Sequence, residues 1–246
     1  MKYAVYVEGL SELLFVSDVL QKYSNYDPGL CGFRCINLNA DDFENLPYPI
    51  QGDESSQNYY QIVNVNNDNR VISKLNQDIS GLIRSGFSII LGLKDVYGEA
   101  YEQISGGTRI VDPSVINHLY SIQAGAIKTN GSDCRLHFAI MEYEAWMLAL
   151  IGNYVESKGS SLEELSTQLG VELTMDPETT IYHPYSLARQ IYKFFGEDYH
   201  KHGKESYSFL SSLTRDDYER LRCSGRCASF AKFLDSLLGG APPNLP

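Results

Sequence analysis

The sequence predicts an α/β fold, a mostly parallel sheet with helices packed on its faces. Short runs of β-branched and aromatic residues alternate with segments whose apolar residues recur at helical spacing, and this alternation continues over residues 1–151. One run, residues 87–93, is almost wholly apolar, which is typical of a strand buried on both faces of a parallel sheet. Both observations indicate helices that connect parallel strands.

The first elements follow from these patterns in chain order. Residues 2–7 predict a strand that ends at Glu8-Gly9, and residues 11–23 predict a helix with Glu12 in its first turn, where a helix dipole favours a carboxylate. A short strand near residues 33–38 is followed by a surface loop over residues 41–56, which are rich in Asp, Glu, Pro and Ser. The next predictions are a strand, a helix and a strand over residues 59–65, 68–85 and 87–93.

The second half of the chain predicts fewer strands. Residues 99–110, with their Gly-Gly pair, predict an exposed excursion, and Asp112-Pro113 predicts the start of a helix that reaches residue 126. A strand over 135–140 leads into a helix over 141–150 with two glutamates in its first turn. We expect a core of residues 1–151 and a mainly helical appendage of residues 152–246 packed on it, with helices near 161–170, 186–195, 216–222 and 228–238.

Charge and composition restrict the class of protein. The first ten residues lack the apolar run of a signal peptide, and no apolar run approaches the about 20 residues that span a bilayer, so we expect a cytoplasmic protein without membrane association. The net charge of −11 argues against broad, sequence-independent adhesion to nucleic acid. Residues 189–232 nevertheless carry nine Lys and Arg against six Asp and Glu, a mildly basic segment on an acidic chain.

The five cysteines are an odd number in a chain for which no export signal is expected, and this favours reduced thiols. Cys31 with Cys35, and Cys223 with Cys227, leave a four-thiolate zinc site as an alternative if the fold brings the two pairs together. Their spacing lacks the two-residue gap typical of such sites. His200 and His202, flanked by lysines, are interpreted as polar surface.

Carboxylates stand where the predicted strands end. Glu8, Asp95 and the pair Glu142 and Glu144 each follow a strand, and ligands of parallel sheets bind outside the carboxyl ends of the strands. Crowded carboxylates repel one another unless a hard cation neutralises them, so the pattern predicts a site for Mg²⁺ or Mn²⁺. The alternative is that the glutamates complement a helix dipole and that Asp95 forms a turn.

Four stretches, in order along the chain, resemble the TOPRIM-like proteins of the bacterial DUF4276 group. The first is similar to the Glu-Gly-x-Ser/Thr-Glu opening, the second to a strand-end aspartate motif, the third to a Glu-x-Glu-Ala-Trp signature and the fourth to a basic segment before the last helix. They are residues 7–15, 91–95, 141–146 and 222–230.

The resemblance implies a Rossmann-like TOPRIM core and a Mg²⁺-dependent nuclease or related phosphodiester enzyme acting on DNA or RNA, as in bacterial phage defence, with a partner ATPase left open. Glu8 would be the general acid/base or a metal contact and Asp95 a metal ligand. We expect substrate contacts from Glu12 and from a basic set comprising Lys201, Lys204, Arg222 and Arg226.

One position departs from the family pattern. The usual Asp-x-Asp is Asp95-Val96-Tyr97 here, and a tyrosine cannot serve as a hard ligand at neutral pH. Either Glu142 or Glu144 supplies the missing carboxylate, or the chain is a catalytically impaired binding or partner subunit.

Overall fold

The computed structural model describes residues 1–39, 42–45, 50–66, 70–200 and 205–239. It is an α/β structure in which six strands form one sheet in the order β3-β2-β4-β1-β5-β6. The strands are β1 (Lys2–Val7), β2 (Cys31–Asn39), β3 (Asp42–Asn45), β4 (Asn58–Asn64), β5 (Ile89–Asp95) and β6 (Asp133–Ala139). Five of the six are parallel, which confirms the predicted parallel sheet with flanking helices and is consistent with a Rossmann-like fold.

Register fixes where the strands end. Val7 of β1 lies opposite Asn64 of β4 and Leu93 of β5, so the chain leaves these three parallel strands at one edge of the sheet. The antiparallel strand β3 pairs with β2 and lies within the predicted loop of residues 41–56. The prediction of a loop is therefore wrong for Asp42–Asn45, because an edge strand can be polar and still satisfy its backbone by pairing. Residues 40, 41 and 46–49 are outside the described residues.

The helices that follow the first strands pack on the sheet. They are α1 (Leu10–Tyr23), which contacts β2 and β4, and α2 (Arg70–Arg84), which contacts β1. At Gly92 of β5 an added Cβ would lie 2.9 Å from Leu136 Cδ1 and 3.2 Å from Val71 Cγ1. Glycine is therefore required there by close packing between the strand, β6 and α2.

The remaining helices are mostly short. They are α3 (Glu99–Ile104), α4 (Pro113–Ala124), α5 (Glu144–Ala149), α6 (Gly152–Ser157), α7 (Leu162–Leu169), α8 (Pro177–Thr180), α9 (Pro184–Phe194), α10 (Glu205–Ser212), α11 (Arg215–Cys223) and α12 (Ala228–Leu237). None of the helices within the described ranges has the length and apolar character needed to cross a bilayer.

The predicted exposed excursion over residues 99–110 contains the helix α3. Tyr101 in this helix is fully buried, its hydroxyl donates to the Ile110 carbonyl at 2.9 Å, and it accepts the Asp112 N–H at 2.7 Å. The excursion is thus tied back by one buried side chain. The Gly-Gly pair in this segment suggested a loop, so the sequence did not predict the helix or the Tyr101 contacts.

The chain divides into two compact units. Unit 1 comprises residues 1–94 and 120–137, and unit 2 comprises residues 95–119 and 138–246. The boundary predicted at residue 151 falls inside unit 2, where α5 contacts both α8 and α9. Trp146 of α5 lies in the core of this unit, with its ring centroid 5.6 Å from those of Phe230 and Phe233.

Candidate metal centre

Asp95 is the last residue of a strand whose seven residues are all buried. Asp95 is 8% exposed, and its Oδ1 accepts a hydrogen bond of 2.8 Å from the main-chain N–H of Tyr143. This bond links the end of β5 to the segment before α5 and fixes the orientation of the carboxylate.

The segment between β6 and α5 turns through an unusual backbone conformation. Met141 is fully buried and has a φ of 62°, in the left-handed region that residues other than glycine rarely adopt. Its carbonyl accepts the Tyr97 N–H at 2.7 Å, and Glu142 donates its N–H to the Ile140 carbonyl at 3.0 Å. This turn directs residues 142–144 toward the end of β5.

Two glutamates follow the turn. Glu142 is 6% exposed and Glu144 is 1% exposed. Glu142 Oε2 accepts the Tyr185 N–H at 2.9 Å, and Glu144 Oε1 accepts the Tyr199 hydroxyl at 3.2 Å. Each carboxylate is thus held by a donor from elsewhere in unit 2.

The three side chains form one group. Asp95, Glu142 and Glu144 each offer a carboxylate oxygen, and these oxygens lie within 4.8 Å of one another. Three buried negative charges at this separation repel one another strongly, and oxygen donors of this kind are the ligands that hard divalent cations prefer. The group can therefore hold a metal ion.

The helix-dipole alternative holds for Glu144, which is the first residue of α5 and lies in its first turn, and for Glu142 it involves a different helix. The predicted helix over residues 141–150 begins only at Glu144, so Glu142 lies before α5 rather than in its first turn. Glu142 instead accepts an N–H from the first turn of α9, which begins at Pro184. One of its oxygens therefore complements a helix start.

Unit 1 contains the other predicted acidic residues. Glu8 follows β1 and is 5% exposed, Glu12 is 8% exposed, and their carboxylates offer oxygens within 4.8 Å of each other. Glu8 Oε1 lies 3.9 Å from Lys94 Nζ, which offsets part of the charge. An added Cβ at Gly9 would lie 2.8 Å from Glu12 Oε2, so a side chain at this position would require the Glu12 carboxylate to shift.

Tyr97 contacts a carboxylate and two aromatic rings of unit 2. Its hydroxyl donates to Glu102 Oε1 at 2.7 Å, and burial together with that hydrogen bond raises the pKa of Tyr97. Its ring contacts Tyr182 and His183 with centroid distances of 5.6 and 4.8 Å. Tyr97 thus belongs to an aromatic cluster.

The predicted basic set is only partly within the described residues. Arg222 donates to Asp235 at 2.7 Å and to Glu219 at 3.2 Å, and Arg226 donates to the carbonyls of Leu173 and Met175. These bonds hold both guanidinium groups to the chain itself, and their contact with a substrate stays a prediction. Lys201, Lys204 and His202 lie outside the described residues.

All five cysteines are free thiols, and neither of the acidic groups above contains one. Burial raises the pKa of Cys31 and of Cys35 to about 12, which disfavours the thiolate form that zinc binds. The zinc alternative gains no support from these thiols.

The carboxylates are recognisable in the sequence, but the groups that hold them are not. Two of the donors are main-chain N–H groups, of Tyr143 and Tyr185, and a main-chain N–H is the same whichever of these residues carries it, so the sequence does not reveal it.

Comparisons with protein-family models, curated proteins and solved structures find no match for this chain.

Proposed function

We propose that this protein is a divalent-metal-dependent phosphodiesterase that acts on nucleic acid. The observation that carries the proposal is the buried group of Asp95, Glu142 and Glu144, with oxygens within 4.8 Å of one another. The sequence resemblance to TOPRIM-like proteins, in four motifs along the chain, supports the choice of a nucleic-acid substrate. The carboxylates themselves indicate only the cation.

The residues of unit 2 prepare the site for a cation. Two main-chain N–H groups and the Tyr199 hydroxyl each fix one carboxylate, so little reorganisation is needed on binding. A divalent cation held there would polarise a phosphate oxygen and lower the pKa of a bound water. The resemblance assigns proton transfer to Glu8, and that role stays a prediction.

Calorimetric titration with Mn²⁺ and Mg²⁺, followed by cleavage assays on labelled DNA and RNA, tests the proposal. Asp95→Asn and Glu142→Gln keep the shape of the side chain and remove one charge, so we expect metal affinity to fall at least about tenfold and cleavage to be lost. The exposed Glu163 in the first turn of α7 provides the matched control, Glu163→Gln. If the carboxamide variants bind and cleave like the parent, the assignment is wrong.

A second candidate function is a TOPRIM-like binding or partner subunit without catalysis. Tyr97 in place of the second aspartate favours it, since its hydroxyl bonds Glu102 and its ring packs on other rings. Metal binding without cleavage of any nucleic acid would support this candidate. The Glu8→Gln variant adds a separate test, because loss of cleavage at unchanged metal affinity is expected for a proton-transfer group.

A further inference from the structure

Three aromatic side chains of unit 2 form a cluster at the protein surface, which we call the ring cluster: Tyr97, Tyr182 and His183. Tyr182 and His183 have ring centroids 4.3 Å apart, and both contact Tyr97 edge to face. All three are partly exposed, unlike the fully buried Tyr101 beside them. The ring cluster therefore offers aromatic surface to a ligand as well as packing the fold.

The ring cluster is joined through the main chain to the carboxylates of the candidate metal centre. Tyr97 follows Asp95 by two residues, and its N–H donates to the Met141 carbonyl at 2.7 Å. On the other side, Tyr185 follows His183 by two residues, and its N–H donates to Glu142 Oε2 at 2.9 Å. Tyr97 and His183 therefore each lie two residues from a group of the candidate metal centre, Asp95 in the first case and the Tyr185 N–H donor in the second.

Exposed positive charge lies on α9, beside the ring of Tyr185. The Arg189 guanidinium lies 5.7 Å from the centroid of the Tyr185 ring, and Lys193 follows one helical turn later. Both side chains are exposed, as phosphate contacts must be. A cation beside an aromatic ring, with a second cation one helical turn later, is suited to a sugar-phosphate backbone whose bases stack on nearby rings.

We propose that the site takes single-stranded nucleic acid, with Tyr182 and His183 stacking an unpaired base and Arg189 contacting a phosphate. This inference rests on the proposed phosphodiesterase function and names its substrate class. A duplex offers no base face to a protein ring, because its bases are stacked on each other, whereas an unpaired base exposes both faces. The combination of rings, cations and carboxylates therefore selects the single strand.

Fluorescence anisotropy with labelled thymidine and uridine oligonucleotides, and with a DNA duplex, tests this in EDTA so that no cleavage intervenes. We expect the single strands to bind at least about tenfold tighter than the duplex, the reverse of what charge alone would give, since the duplex is more highly charged. Tyr182→Leu and His183→Gln should each reduce single-strand affinity several-fold and leave duplex affinity unchanged. Tyr26→Gly, which removes an exposed ring of unit 1, is the control.

The outcomes separate this inference from the proposed function. The inference is wrong if the protein cleaves nucleic acid with metal but shows no preference for single strands. It is also wrong if the preference survives both ring variants. Either result leaves the proposed phosphodiesterase function unaffected. Single-strand binding without metal-dependent cleavage overturns the phosphodiesterase and retains the ring cluster as a binding surface. Thermal melting of Tyr182→Leu and His183→Gln checks that these variants remain folded. Arg189→Gln should lower the affinity for the single strand and also reduce the salt dependence of that affinity.

Discussion

At the scale of the residue, the candidate centre depends on one left-handed residue that is not glycine. Met141 holds a φ of 62° with its side chain fully buried. Such a conformation costs about 1–3 kcal/mol and persists only where the surroundings fix it. Here the packed side chain and the carbonyl bond to Tyr97 fix it, and three carboxylates are crowded together as a result.

Because the three carboxylates are crowded, Asp95→Asn should change thermal stability in opposite directions with and without a divalent metal. In EDTA, Asp95→Asn should raise the free energy of unfolding by about 1 kcal/mol, or the melting temperature by roughly 2–4 °C, because it removes one of three neighbouring buried charges. The amide oxygen still accepts the Tyr143 N–H. With millimolar Mn²⁺ the parent should become the more stable protein, because a ligand that binds the native state stabilises it. A melting temperature that falls in EDTA would contradict the crowding.

Glu178 is a buried carboxylate of unit 2 that lies outside the candidate centre. It accepts hydrogen bonds from Trp146 Nε1 at 2.9 Å and from the Ser229 N–H at 3.2 Å, and also bonds the Ser229 hydroxyl. Burial outweighs these bonds and raises the pKa of Glu178 above its ordinary value of 4.5. An acid with a raised pKa in the folded state contributes stability that is complete below its unfolded pKa and is lost as pH rises through the folded pKa.

Because the pKa of Glu178 is raised by folding, the effect of Glu178→Gln on stability should depend on pH. The stability of the parent minus that of the variant should be greatest below pH 4.5 and should decline as the pH rises toward neutrality. Urea unfolding of both proteins across this range measures the difference. A difference that grows with pH would mean that the hydrogen bonds outweigh burial.

At the scale of the element, alanine substitutions at two glycines should change the free energy of unfolding in opposite directions. Gly92→Ala in β5 should lower the free energy of unfolding by about 1–3 kcal/mol, because the added methyl would meet Leu136 and Val71. Gly81→Ala in α2 has nothing within 4 Å of the added Cβ and should raise it by about 0.5–1 kcal/mol. Denaturant unfolding of the pair tests the packing, and shifts of the same sign would contradict it.

The end of α1 offers a stabilising variant. Tyr26 is 59% exposed and has a φ of 59°, and its N–H donates to the Gln21 carbonyl at 2.8 Å. Tyr26→Gly should stabilise the protein by about 0.5–1 kcal/mol, because glycine adopts this conformation without steric cost. Tyr26→Ala retains a Cβ and should bring no such gain, and calorimetry of both variants distinguishes them.

The sequence predicted elements best where burial is periodic. The parallel strands, the position of Asp95 at the end of β5 and the position of Glu142 and Glu144 shortly after β6 followed from apolar runs. The sequence did not predict elements that depend on a few contacts between residues distant in the chain. Examples are α3, which is anchored by Tyr101, and the one-turn helix α8. The helix predicted over residues 141–150 is shorter in the structure, because the left-handed Met141 cannot belong to a helix.

At the scale of the whole molecule, the chain passes between the two units inside regular elements. The crossings lie after Lys94 in β5, after Leu119 in α4 and after His137 in β6. A fragment of residues 1–151 would keep α5 but lose its partners α8, α9 and α12. We expect this fragment to aggregate, because the apolar residues of α5 would be exposed, and light scattering of the purified fragment would reveal it. A monomeric fragment with native circular dichroism would contradict this.

The indole of Trp146 has a use beyond packing. It is the one tryptophan in the sequence, so indole emission reports on unit 2 alone, while unit 1 contributes tyrosine signal. Trp146 also follows Glu144 by two residues and bonds Glu178, so cation binding and acidification should each change its emission. Comparing its unfolding transition with that of far-ultraviolet dichroism, which samples both units, reveals whether the molecule melts in one cooperative step or in two.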